Sequence, residues 1–128
     1  HEWTQAFDRY IGRGAPAYVE RTKLTPKEAI QLVKEAKGVP IIAHPALIEN
    51  DSLLPELISW GAAGLEVYHT EHDEKATKRY LEFVQSRDLL MTGGSDCHGP
   101  DGKMNILIGE VKAPYSVVED LKQYKHKM

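Results

Sequence analysis

Asp96 and His98 lie two residues apart in the glycine-rich stretch Gly93-Gly94-Ser95-Asp96-Cys97-His98-Gly99. An apolar run, Leu89-Leu90-Met91-Thr92, precedes them and reads as a buried strand. Two earlier segments repeat this layout. Val39-Pro40-Ile41-Ile42-Ala43 delivers His44, and Gly64-Leu65-Glu66-Val67-Tyr68 delivers His69, with His72 three residues on. Imidazoles and carboxylates converging on one rim suit borderline divalent metals such as zinc, manganese or iron. Such a centre lowers the pKa of bound water and neutralises phosphate charge during in-line attack. No Gly-x-Gly-x-x-Gly, Walker or Gly-x-Ser-x-Gly pattern occurs, so those nucleotide-binding and nucleophile-elbow chemistries find no support in the sequence.

Each residue also has a plainer reading. His44 before Pro45 fits a turn histidine that caps a helix. Asp96 fits an Asx-turn that orders the glycine-rich loop, with His98 beside it. His69 and His72 fit solvated loop histidines, and direct metal ligation is not the favoured role for either. Glu66 lies inside a strand, so its carboxylate needs a partner. Cys97 points away from its neighbours if Asp96 and His98 point inward, and reads as a packed thiol rather than a nucleophile.

The elements that must position these groups alternate. Trp3, Phe7, Tyr10 and Ile11 share one helical face, and Gly12-Arg13-Gly14 ends that helix. Residues 15 to 24 read as an irregular connection. Thr25-Pro26-Lys27-Glu28 is a helix start with a capping box, and Ala29, Ile30, Val33 and Ala36 form its inward stripe. Ser52 is expected to cap a short helix through Trp60. Residues 72 to 87 form the longest helix, with Ala76, Tyr80, Phe83 and Val84 inward. Asn105 to Val111 is a candidate fourth strand, and Pro114 opens a last helix with Val117, Val118, Leu121 and Tyr124 inward. Short apolar strands alternating with amphipathic helices imply right-handed crossovers and a mainly parallel sheet of three to four strands. In such a sheet the strand ends share one rim, where α/β folds place their sites.

Composition is that of an ordinary soluble domain, with 41% hydrophobic and 27% charged residues and a formal net charge of −3. No basic stripe favours non-specific nucleic-acid binding, and no apolar run of about 18 residues favours a membrane span. The single cysteine, Cys97, cannot form an intramolecular disulfide, which is compatible with a reducing, cytoplasmic setting. His1-Glu2-Trp3-Thr4 has neither a signal-peptide start nor an initiator methionine, so a stretch from a longer chain is expected.

Ile42-Ala43-His44-Pro45, Gly64 to His69 with His72, and Gly94-Ser95-Asp96-Cys97-His98-Gly99 resemble the PHP (polymerase and histidinol phosphatase) family. The opening, Ala6 to Gly14 with Pro16-Ala17-Tyr18-Val19, resembles its bacterial stand-alone phosphoesterase branch, in the segment leading out of an inserted helical region. The resemblance implies the C-terminal part of a distorted (β/α)7 barrel, with residues 1–24 the exit from the insertion and 25–128 the barrel units. It implies metal-dependent hydrolysis of phosphate esters, with nucleotides or short oligonucleotides as substrates. It implies two or three divalent ions (Mn, Zn or Fe) in the complete protein. His44, Asp96 and His98 match metal ligands, His69 and His72 a loop near the substrate phosphate with catalytic roles, and Arg13 a basic residue near that phosphate. The family's His-x-His motif and further ligands are absent from these residues, so the chain alone is expected to be inactive and to associate through exposed barrel edges. Two other readings stand beside it: an amidohydrolase-like enzyme acting on C–N bonds, and a catalytically inactive scaffold.

Overall fold

The computed structural model describes residues 5–20, 23–99 and 106–128. A three-stranded parallel sheet organises the chain. Its strands are β1 (Ile41–Ile42), β2 (Gly64–His69) and β3 (Leu90–Gly94), in spatial order β1-β2-β3. Among the described residues four α-helices accompany it: α1 (Pro26–Glu35), α2 (Leu54–Ser59), α3 (Glu74–Gln85) and α4 (Ser116–Lys127).

Local chemistry starts and stops these elements where the sequence anticipates it, with some exceptions. Thr25 caps α1 in a full capping box: the Glu28 N–H donates to the Thr25 hydroxyl, and the Glu28 carboxylate accepts the Thr25 N–H at 2.8 Å. The Thr25 N–H first, and then the Thr25 hydroxyl, which also donates to the Glu28 carboxylate at 2.8 Å, hold the Glu28 carboxyl below its usual range. Asp73 caps α3 by accepting the Ala76 N–H at 2.7 Å. The expected Ser52 cap is replaced by Asn50. Its side chain accepts both the Ser52 N–H and the Ser52 hydroxyl and starts a 3-10 turn, Asp51–Leu53, that runs into α2.

The central strand explains the core. On β2, Leu65, Val67 and His69 face inward and are buried. Leu65 and Val67 pack with Leu54 and Leu57 of α2, Ile30 of α1, and Ala76, Tyr80 and Val84 of α3. Burying a side chain of this size contributes roughly 1.5–3 kcal/mol. Gly64 enters β2 where an added Cβ would lie 1.9 Å from the Leu90 carbonyl oxygen, so only glycine admits β3 at that distance.

Several expectations need correction. The strand expected over residues 39–43 shortens to Ile41–Ile42, because Pro40 cannot donate to the ladder. Residues 106–111 form turns rather than a fourth strand, with Leu107 and Ile108 exposed; Asn105 lies outside the described residues. The first helix covers residues 5–11 and closes in a π-helical turn, Phe7–Ile11, in which the Gly12 N–H reaches the Phe7 carbonyl at 2.6 Å. Its expected apolar face is exposed at Phe7, Tyr10 and Ile11, and Trp3 lies outside the described residues. Along the α1 stripe only Ile30 is buried, and along α4 only Val117. Helix patterning marks which side is apolar; the described residues do not cover all of it.

Tyr80 is the most informative core residue. Its ring is fully buried, while its hydroxyl donates to Asp51 at 2.8 Å and accepts from Arg79 at 3.2 Å. Burial, followed by the bond to Asp51, pushes the Tyr80 hydroxyl above its usual range. A raised folded-state pKa means the stabilisation is fully present below about pH 10 and is lost as pH rises through the folded value. Tyr80→Phe is expected to lower stability by about 1–2 kcal/mol at pH 8. Urea unfolding should also show the parent losing stability above pH 10 more steeply than the variant. A variant as stable as the parent would refute this role.

Candidate active site

The parallel pairing puts every strand's C-terminal end on one edge, and the candidate residues follow from that. Residue 44 lies two past β1, His69 is the last residue of β2, and Asp96 lies two past β3. The rings of His44 and His69 are 5.3 Å apart, those of His69 and His72 likewise 5.3 Å, and His72 sits 5.0 Å from Tyr80. Asp96 Oδ2 lies 3.7 Å from His69 Nε2. The edge thus groups His44, His72 and Asp96 around His69; the strand-end layout predicts His44, His69 and Asp96 there, and His72 joins them from the turn after β2.

A bulge in β2 shapes this edge. Glu66 pairs with Thr92 but Tyr68 pairs with Gly93, so Val67 is an extra residue against β3. Bulges are rare in parallel pairs and cluster beside active sites, where they re-aim side chains. The Val67 carbonyl bonds to His72 Nδ1 at 2.8 Å. Gly93 is required opposite the bulge, since a Cβ there would come within 2.6 Å of Tyr68 Cβ and 2.7 Å of the Tyr68 carbonyl oxygen. Beyond it, the Thr70 hydroxyl donates to the Ser95 carbonyl at 2.8 Å, tying the end of β2 to the residue before Asp96.

The four edge residues differ in chemistry. His69 is 4% exposed. Its Nδ1 accepts the Glu71 N–H at 3.1 Å, so in the neutral ring Nε2 carries the proton. That Nε2–H is buried without a hydrogen-bond partner among the described residues. A buried orphan donor costs roughly 1–3 kcal/mol, and an incoming oxyanion would relieve it. In this arrangement His69 presents a proton, not a lone pair, at the edge. His72 is also buried, but backbone groups take both its nitrogens: Nδ1–H donates to Val67, and Nε2 accepts the Ala46 N–H at 3.5 Å. It braces the turn after His44 against β2.

Asp96 and His98 stand in the loop as the Asp-x-His spacing suggests. Asp96 adopts a left-handed backbone, φ 52°, and its side chain is half exposed. His98 donates Nδ1–H to the Asp96 carbonyl at 2.7 Å, leaving the Nε2 lone pair outward on a side chain 71% exposed. That is the tautomer a metal ligand needs. His44 also has a left-handed backbone, φ 30° and ψ 61°, and its N–H donates to Glu66 Oε2 at 2.7 Å. Among the described residues, however, no three His, Cys, Asp or Glu groups converge to hold a metal ion. The donor types suit a borderline divalent ion, but these residues do not complete a site for one. Arg13 is exposed in the turn after the first helix, and no hydrogen bond or ion pair among the described residues joins it to the edge. Cys97 is a half-buried free thiol.

Sequence reasoning left Glu66 without its partner, and Thr70, Asp51 and Tyr80 without their polar roles. The signal for Glu66 was legible, as a carboxylate inside an apolar strand. Nothing in the spacing marked the others, because their partners are 25 or more residues away.

No family model matches the chain. Curated relatives do. The chain is 35% identical over 78 residues to the phosphoribosyl 1,2-cyclic phosphate 1,2-diphosphodiesterase of Eggerthella lenta, covering 61% of this chain and 30% of that protein. It is 30% identical over 103 residues to a 5'-3' exoribonuclease of Haemophilus influenzae, covering 77% and 38%. It is 27% identical over 99 residues to a 3',5'-nucleoside bisphosphate phosphatase of Chromobacterium violaceum, covering 73% and 35%. A solved structure from Bifidobacterium adolescentis, provisionally described as a metal-dependent phosphoesterase, superposes with TM-score 0.68 at 30% identity, over 92% of this chain and 43% of that one. A Chromobacterium violaceum amidohydrolase with bound sulfate and no metal superposes with TM-score 0.61 at 23% identity, over 94% and 44%, a likeness of fold alone. The chain spans about a third of the curated relatives it matches. All three bear names of enzymes that cleave phosphate esters. No helix among the described residues is long and apolar enough to cross a membrane.

Proposed function

We propose that this chain is the C-terminal part of a PHP-type, metal-dependent phosphoesterase acting on nucleotides or short oligonucleotides. Residues 1–24 lead out of an inserted region, and residues 25–128 form the last barrel units. One observation carries the reading: the buried, unpaired N–H of His69 beside Asp96, on the edge where the parallel strands end. An N–H held in that state fits a phosphoryl oxygen. Relatives named for cleaving cyclic phosphates and nucleoside bisphosphates support that class of ligand.

In this reading His69 donates its Nε2 proton toward the phosphate, as hydrogen-bond donor or as acid to the leaving oxygen. His72 acts through it, keeping β2 and the His44 turn in register rather than touching substrate. Asp96, His98 and His44 contribute metal ligands, with the remaining ligands from outside these 128 residues. A divalent ion (Mn, Zn or Fe) held there would neutralise charge on the phosphoryl oxygens. Arg13 would approach the phosphate only in the complete protein.

The test is phosphate release by the full-length protein from a 3',5'-nucleoside bisphosphate, a cyclic phosphate and a short 5'-phosphorylated RNA, with Mn2+ supplied. His69→Phe keeps an aromatic ring and removes the donor, and turnover is expected to fall about 100-fold or more. Hydrolysis of cyclic amides without cleavage of any phosphate ester would overturn the proposal.

A further inference from the structure

We infer that Glu66 is the positioning residue for His44, acting through the His44 backbone rather than through its ring. The inference rests on the phosphoesterase reading only for what His44 holds. β1 pairs with β2 through Ile41↔Gly64 and Ile42↔Leu65, and the ladder ends there. Two residues further on, the His44 amide has no strand to pair with. The side chain of Glu66, the residue after Leu65, takes that role and accepts the N–H at 2.7 Å in a part-buried setting.

The bond matters because of the backbone it holds. At φ 30° and ψ 61°, His44 occupies the left-handed region that favours glycine. Pro45 follows, and a residue before proline is pushed toward extended conformations, so two local preferences oppose the observed one. Strain of this kind persists only when surrounding contacts over-determine it. Glu66 supplies the contact from β2. His72 supplies a second one two residues on, at the Ala46 N–H. Released from Glu66, His44 would relax toward extended backbone and carry its ring away from His69, 5.3 Å distant in the structure. Glu66 lies just before the bulge, so the same local irregularity sets both His44 and His69.

The test uses the full-length protein with Glu66→Ala and Glu66→Gln. In metal-free protein, hydrogen exchange at the His44 amide is expected to quicken about 10-fold in Glu66→Ala. In Glu66→Gln, whose amide oxygen still accepts, it should stay within about threefold of the parent. In a second arm, Mn2+ affinity is expected to fall about 10- to 100-fold in Glu66→Ala and to recover in Glu66→Gln. Equal His44 exchange in all three proteins would overturn the inference. So would equal loss of Mn2+ affinity in both variants, which would mean that Glu66 acts by its charge. If the parent itself binds no Mn2+ and cleaves no phosphate ester, the phosphoesterase reading fails, while the exchange arm still judges Glu66.

Discussion

Asp96→Asn in the full-length protein is expected to lower phosphate-ester turnover by about 100-fold or more, with thermal stability held near the parent value. The substitution is chosen for its backbone. Asp96 sits at φ 52°, and asparagine tolerates the left-handed region as well as aspartate does. The loop should therefore keep its course, with the Asp96 carbonyl still accepting His98 Nδ1–H and the Ser95 carbonyl still accepting the Thr70 hydroxyl. What disappears is a half-exposed negative charge facing His69 at 3.7 Å and available to a metal ion. Elemental analysis should show a matching loss of bound metal. Unchanged turnover and metal content would remove Asp96 from the site and take the proposed centre with it.

Gly64→Ala is expected to cost about 3 kcal/mol or more, enough to leave much of a marginally stable domain unfolded. The added methyl would sit 1.9 Å from the Leu90 carbonyl oxygen, 2.5 Å from its carbonyl carbon and 2.9 Å from its Cα. All three are backbone atoms of the neighbouring strand, so no rotamer change relieves the clash, and β3 must move away. Gly94→Ala is the control. It lies on the same sheet, has nothing within 4 Å of the added carbon, and should change stability little. Denaturant midpoints of the two variants decide the matter, and equal midpoints would show that the strand spacing is not as tight as described.

These outcomes bear on how much was readable in advance. The alternation of short apolar strands with capped helices was enough to predict a parallel sheet with His44, His69 and Asp96 on one edge, and that arrangement is observed. Capping at Thr25 was equally legible, since its chemistry lies within four residues. Legibility failed where competing partners decide which group is bonded, even at short range. The Ser52 expectation missed that Asn50, two residues earlier, offers an oxygen to the same turn. Spacing likewise cannot show that the Ala46 N–H and the Val67 carbonyl bond the two nitrogens of His72. The extent of the strands was the other weak point. An apolar run over residues 39–43 says that the segment is buried, whereas the number of paired residues depends on where Pro40 falls and what lies alongside. The run at 106–111 fails for a related reason: apolar character alone does not recruit a neighbouring strand.

The extra residue at Val67 gives β2 something like a reading frame. Ahead of it, Glu66 stands opposite Thr92; after it, His69 stands opposite Gly94. In a strand without the bulge, Tyr68 would take the place opposite Gly94, and a phenol would replace the imidazole at the sheet edge. Loss of the bulge at constant strand length would therefore exchange the group presented at the edge without any change of sequence. At this edge, the register of the strand specifies the chemistry as firmly as the identity of any side chain.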